Sequence, residues 1–304
     1  MNTNGSDVTW SQEQWQRVTK AVDEEAQRAR VAGSFLPLFG PVDSSVVGVP
    51  NLRLGYDGNA APDSGADTQR MWVDSDPHTL LTTIAVTISL RSHEVADGEL
   101  SAALAMFRRA ANVIARVEDA LLFHGQTGKG QPPAAGVAHL PRIFTVSGGR
   151  PQPGLLAART RIPLTIPTAA DSRGGGDATV SSVVQSVNEL EARGHVGPYA
   201  CVLGHDVFTA ACTPTASLVL PRDRILPFLN GPLVRSSSLP ADSGLLIALG
   251  GGPVEIVVGS DIAVRFIQTT PEPRYLFRVS ERVALRVKEW SGVAVFDPKA
   301  RTIQ

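Results

Sequence analysis

Cysteine, tyrosine and methionine are scarce in this sequence, at two, three and three of 304 residues. The two thiols, Cys201 and Cys212, flank one short segment. They cannot build a disulfide-stapled fold, and their spacing is not that of zinc ligands. They read as reduced thiols of a cytosolic protein. An excess of either charge is also lacking. A formal net charge of -1 gives no electrostatic case for nucleic acid, because a phosphate binder needs a basic face. No run approaches the ~20 apolar residues that a bilayer requires. The polar start, Met1 to Asp7, lacks the basic-then-apolar order of an export signal. A cytoplasmic protein without a membrane partner is the expectation. The 43% hydrophobic and 19% charged residues fit a folded globular chain, long enough for one large domain or two small ones.

Catalytic arrangements are equally sparse. There is no Gly-x-Ser-x-Gly elbow and no His-Glu-x-x-His. The histidines, at 78, 93, 124, 139, 195 and 205, are scattered, with no pair at a zinc-ligand spacing. Gly125-Gln126-Thr127-Gly128-Lys129-Gly130 lacks the spacing of a phosphate loop and follows a helix instead of a strand. His93-Glu94 is an isolated polar pair. Glu118 and Asp119 are adjacent on a helix, so their side chains diverge by about 100°. One is expected in solvent and the other in a structural ion pair, with Arg278 or Arg286 as the candidate partner. No second carboxylate is expected opposite them for acid–base work. No catalytic residue, metal or cofactor is expected.

What is present is patterning. Ser11 and Gln14 form a capping-box signature for a helix from Gln12 to about Val31. Trp15, Val18, Val22 and Ala26 mark its apolar stripe, and Arg17, Lys20, Glu24, Glu25 and Arg28 its solvated face. Phe35 to Pro41 is an apolar run broken by proline, read as an extended anchor. Residues 42 to 70 are polar and glycine-rich, and residues 79 to 91 form a strand. The longest helix spans residues 99 to 123, ending at Gly125. At ~1.5 Å per residue it is about 37 Å long, enough for the spine of a domain. Residues 126 to 177 are loop-rich. A helix from Thr179 to Ala192, a strand near Ala200 to Gly204 and a helix from His205 to Cys212 follow. Residues 214 to 243 are again rich in Pro and Ser. Strands are expected at 245–249, 254–258, 262–268, 275–280, 283–288 and 293–296. The fold class is α+β, a spine helix packed on late strands with a second lobe inserted.

Two features fit no enzyme. The loop from Glu191 to Tyr199 is glycine-bounded and puts Arg193 and His195 at an exposed tip. The polar arm of residues 42 to 70 is longer than compact domains usually carry as loop. An arm that cannot bury itself implies a neighbouring subunit.

These segments together resemble the encapsulin shell proteins, which share the Hong Kong 97-like fold of tailed-phage major capsid proteins. The likeness is carried by four stretches in order: Trp15 after Ser11-Gln12-Glu13-Gln14, running on to Phe35 and Gly40-Pro41; Val117-Glu118-Asp119-Ala120-Leu121-Leu122-Phe123-His124-Gly125; Gly194-His195-Val196-Gly197-Pro198-Tyr199-Ala200; and Phe277-Arg278-Val279 with Ala284 to Lys288. The resemblance implies an icosahedral shell of about sixty copies or a multiple of it. It implies that residues 1–41 form a helix and hook on the inner wall, and 42–80 an extended loop clasping a neighbour. Residues 81–136 and 231–304 would form a peripheral domain, and 137–230 an axial domain. Arg193, Gly194, His195 and Val196 would then line a five-fold pore, where a histidine ring could tune ion passage. Val31, Phe35, Val258 and Ile262 would wall a pocket for the short targeting peptide of a cargo enzyme.

The sequence also departs from that pattern. Gly33 and Pro37 stand where related shells place an Arg and an Asp. Leu90-Arg91-Ser92-His93 lacks the tryptophan against which some members hold a flavin, so no flavin is expected. Three readings follow: a compartment shell enclosing an enzyme, a phage-derived capsid protein packaging DNA, and a monomeric enzyme with an unrecognised site.

Overall fold

The computed structural model describes residues 8–56, 71–137, 139–164, 172–217 and 219–297. The first helix, Gln12–Ala29, starts on the expected capping box: Ser11 accepts from the Gln14 N–H, and the Gln14 side chain accepts from the Ser11 N–H. Its stripe of Val18, Ala21, Val22 and Ala26 is buried against the spine helix, Ser101–His124. Glu25 corrects the solvated-face reading. It is buried, ion-paired to Arg28 and bonded to the Asn112 amide. The spine helix stops at Gly125, whose φ is +81°. A Cβ there would come within 2.3 Å of the Gln152 carbonyl, so only glycine serves.

Two five-stranded sheets organise the rest. The first has the order Leu38–Phe39, Val254–Thr269, Arg274–Val287, Thr82–Arg91, Phe144–Gly148. Four expected late strands are here two long ones. Register shifts near Ser260 and Phe266 let the ladder continue through Gly259 instead of ending there. One face of this sheet packs on the two helices. Trp10 stacks on Phe277 at 5.0 Å, with Trp15, Phe107 and Phe266 around them. Such a cluster adds about 0.5–1.5 kcal/mol per pair beyond area burial.

The second sheet has the order Thr160–Pro163, Val293–Asp297, Gly244–Ala248, Tyr199–Leu203, Leu233–Arg235. Its inner strands are buried on both faces. Val202, Leu245, Ile247, Val293 and Val295 join the spine core. Cys201, Leu203, Leu246, Ala294 and Phe296 face a separate core built on the helices Ser172–Ala192, His205–Cys212 and Pro221–Leu229. The sheet is thus the wall between two lobes, and near-continuous apolar strands are what that role needs. Residues 233–235, 244–248 and 293–297, expected in the peripheral domain, pair with Tyr199–Leu203 and its neighbours in this shared sheet.

Two local expectations fail for definable reasons. The glycine cluster near 174 to 176, expected as loop, lies within the helix Ser172–Ala192. A Cβ on Gly176 would meet Pro221 and the Ala210 carbonyl at 2.6 and 3.0 Å, so helix packing selects glycine there. The helix Pro221–Leu229 was not expected in a proline-rich stretch. Pro221 occupies its first turn, where no N–H is needed.

The arm is better built than its composition suggests. Gly48–Pro50 pairs with His78–Leu80, and Arg53–Tyr56 pairs with Met71–Asp74. Arg282 donates to the Ser44 and Val46 carbonyls at 2.8 and 2.6 Å. The part of the expected loop at 57–70 lies outside the described residues, as does Met1 to Asp7.

Candidate functional site

The junction of the first helix, the spine and the first sheet buries a cluster of charged side chains. Arg30 follows the last turn of the first helix, and its Nε donates to Glu118 at 2.6 Å. Its guanidinium also pairs with Glu281 and lies 3.6 Å from Asp261. Asp119 accepts the N–H groups of Val31 and Ala32 at 2.8–3.1 Å, donors at the start of the short 3-10 turn Ala32–Ser34 that have no partner within the turn. Glu118, Asp119 and Glu281 are all buried. Burial pushes Glu118 and Asp119 up to about 7, and Arg30 and the backbone donors only partly offset it. Burial also raises Glu281 well above the usual carboxylate range, and the neighbouring Glu118 adds to the rise. One oxygen of Glu281 has no hydrogen-bond partner. Arg30 is held above its ordinary range by Glu281 and Glu118 against the cost of its own burial.

This corrects the sequence reading in three ways. Neither acid of Glu118-Asp119 is in solvent. The partner of Glu118 is Arg30, at a helix end, while Arg286 pairs with Glu255. A second carboxylate, Glu281, does lie opposite. The cluster joins the first helix, the spine and the long hairpin, so it acts as a polar rivet.

Beside it opens a small hollow of about 50 Å³, lined by Arg30, Gly33, Leu38, Glu118, Val258 and Asp261, among others. Of the four expected pocket walls only Val258 borders it. Val31 and Phe35 are half-buried and Ile262 is fully buried, all packed into the spine core. Leu38, which sequence reasoning missed, stands 62% exposed at its rim. Gly33 lines it and Pro37 is exposed. An arginine and an aspartate are nevertheless present at the hollow, supplied by Arg30 and Asp261.

The tip loop follows the helix Ser172–Ala192. Gly194, at φ +85°, reverses the chain, and the His195 N–H returns to the Leu190 carbonyl at 2.9 Å. His195 is not at the tip. It is buried, with Nε2 2.8 Å from the Ser291 hydroxyl and 3.9 Å from Glu289. Its carbonyl accepts from the Tyr199 hydroxyl. Serine and acid both approach the same ring nitrogen, so this is no hydrolytic triad, in which the acid must hold the other one. Arg193 is tied back to Thr160 and Glu189. Of the four expected pore residues, Gly194 and Val196 stand exposed and untied at the tip, Val196 being 65% exposed. His93 and Glu94 close a short turn, with Glu94 accepting from the Arg91 N–H. Among the described residues no group of His, Cys, Asp and Glu could hold a metal, and no helix is long and apolar enough to cross a membrane.

The family whose pattern this chain matches is Linocin_M18, described as encapsulating protein for peroxidase, over residues 4–135 and 143–284. The chain belongs to this encapsulin family. It is 24% identical over 302 residues to the type 1 encapsulin shell protein EncA of Myxococcus xanthus, covering 96% of this chain and 94% of that one. The virus-like particle of Pyrococcus furiosus superposes with a TM-score of 0.66 at 11% identity, over 93% of this chain and 99% of that one. The capsid of Myoviridae phage XM1 gives 0.55 at 16% identity, over 87% and 89%. The architecture is therefore the Hong Kong 97-like capsid fold. These relatives are shell and capsid proteins.

Proposed function

We propose that this encapsulin-family chain is the repeating subunit of a closed cytoplasmic shell, of about sixty copies or a multiple, that encloses a cargo enzyme. The observation that carries the reading is the arm. Met71, Trp72 and Val73 stand consecutively exposed on its hairpin, apolar surface that a sister molecule would cover. The hollow beside Arg30 is the docking point for the targeting peptide of the cargo. Leu38 and Val258 supply apolar contact, and Arg30 and Asp261 supply polar anchors in place of the missing side chains at Gly33 and Pro37. The tip loop lines a pore whose narrow point is Gly194 and Val196, an apolar ring in place of a histidine ring.

Size-exclusion chromatography and electron microscopy of the purified protein test the shell. Closed particles are expected, and a single-subunit mass at working concentration overturns the reading. Mass spectrometry of the particle contents is expected to find an enzyme; packaged DNA in its place would make the chain a capsid protein.

A further inference from the structure

The acid cluster at Arg30 fastens the chain that follows the first helix, and its charges do not balance. Were Glu118, Asp119 and Glu281 all ionised, three buried negative charges would face one guanidinium. The other groups in reach worsen the excess. Asp261, on the strand Val254–Thr269, lies 3.6 Å from Arg30, and Asp23 of the first helix is half-buried near both. Arg282, next to Glu281, is turned to the opposite face, where it holds the arm. Glu118 and Glu281 are in side-chain contact and both bind Arg30. Two acids hold such a contact only with a proton between them. The remaining oxygen of Glu281 has no donor to steady it as an anion.

The ties beyond the cluster are few. The N–H groups of Val31 and Ala32 end on Asp119. The chain then runs to Leu38–Phe39, a two-residue edge strand with both side chains exposed. Its other holds are the buried Leu36, the Arg286 guanidinium over the Phe39 ring, and the Ile256 N–H on the Pro37 carbonyl at 2.9 Å. The hollow of about 50 Å³ opens between this segment and the acids, lined by Arg30, Gly33, Leu38 and Glu118. Water entering there would solvate a newly formed charge.

We propose that the acid cluster is a proton-operated latch on the segment Arg30–Phe39. With a proton held between Glu118 and Glu281 the latch is closed. Loss of that proton leaves like charges buried side by side, and the segment lifts to admit water through the hollow. Opening follows pH as it rises through about 7. Where this hollow is the docking point of a targeting peptide, as the shell reading has it, docking weakens over the same range.

The test is hydrogen exchange by mass spectrometry on the full chain at about pH 5.5 and about pH 8.5, corrected for the intrinsic rate. Amides between Val31 and Val42, and that of Ile256, are expected to gain about tenfold more exchange than those of the spine helix, the equivalent of one unit of pKa shift. Glu281→Gln keeps a neutral hydrogen-bonding group beside Glu118 and is expected to remove that gain. Should it fail to fold by circular dichroism, Glu118→Gln is expected to act in the same way. A gain no larger than that of the spine helix, or one that the folded variants keep, overturns the latch. Wild-type protein that shows the gain but forms no particles overturns the shell reading and leaves the latch standing.

Discussion

The two lobes share a sheet but are held in opposite ways. The spine lobe buries Glu118, Asp119 and Glu281 around the Arg30 guanidinium, between the first helix, the spine and the long hairpin. The second lobe buries apolar side chains, and its interior hydroxyls are bonded within or beside their own helix, as Thr179 is to Gly175 and Ser186 to Ser182. A buried ion cluster is weak as a source of stability, because desolvation offsets its attraction. It is strong as a specifier of register, because a displaced helix would leave acids unpaired. The lobe that carries the N-terminal helix and the root of the arm is the one with the specifier.

The contrast can be broken by substitution. Arg30→Ala leaves Glu118 and Glu281 without their cation and is expected to cost about 3–5 kcal/mol, read by urea unfolding with tryptophan fluorescence at pH 8. A loss under about 1 kcal/mol would mean that the rivet does not hold the helix. In the second lobe, Leu246→Ala is expected to cost about 2–5 kcal/mol through cavity formation. That loss should be the same at pH 5.5 and 8, since no acid is involved.

Acidity separates the lobes further. Glu118 and Asp119 have folded pKa values of about 7, above their unfolded range near 4. The folded lobe therefore binds protons more tightly than the unfolded chain. Its full stability is present below the unfolded range and is lost as pH rises through about 7. The expected slope is about 1 kcal/mol per pH unit for each group that ionises. Hydrogen exchange in the spine helix should accelerate between pH 5.5 and 8 beyond the intrinsic rate, while the strand Tyr199–Leu203 should not. Glu281→Gln keeps the shape and removes one charge, and is expected to flatten that dependence with about 1 kcal/mol of change at pH 8. The smallest effect is that of Ser186→Ala, about 0.5–1 kcal/mol by thermal unfolding.

Periodicity and capping chemistry are local, so they were legible. The capping box at Ser11, the spine stripe ending at Gly125 and the helix His205–Cys212 stand where their residues put them. The helix Pro221–Leu229 was hidden because proline is read as a helix stop, and the sequence does not mark that Pro221 sits in the first turn or that Pro227 is carried inside the helix. The rivet was half legible. Glu118 stands out in an apolar face, but Arg30 and Glu281 are 88 and 251 residues from their partners. His195 looked exposed because glycine-bounded loops usually are. The turn at Gly194 instead folds its ring back onto Ser291.

The sequence by itself determined the family, the α+β class, the helix ends and the presence of an arm too polar to fold into a core. These follow from contacts between residues a few positions apart and from motif order. The tertiary structure alone decided which acids meet Arg30 and which side chains border the hollow. Each of these is a relation between distant segments, fixed by the register of one sheet and the burial of a few charges.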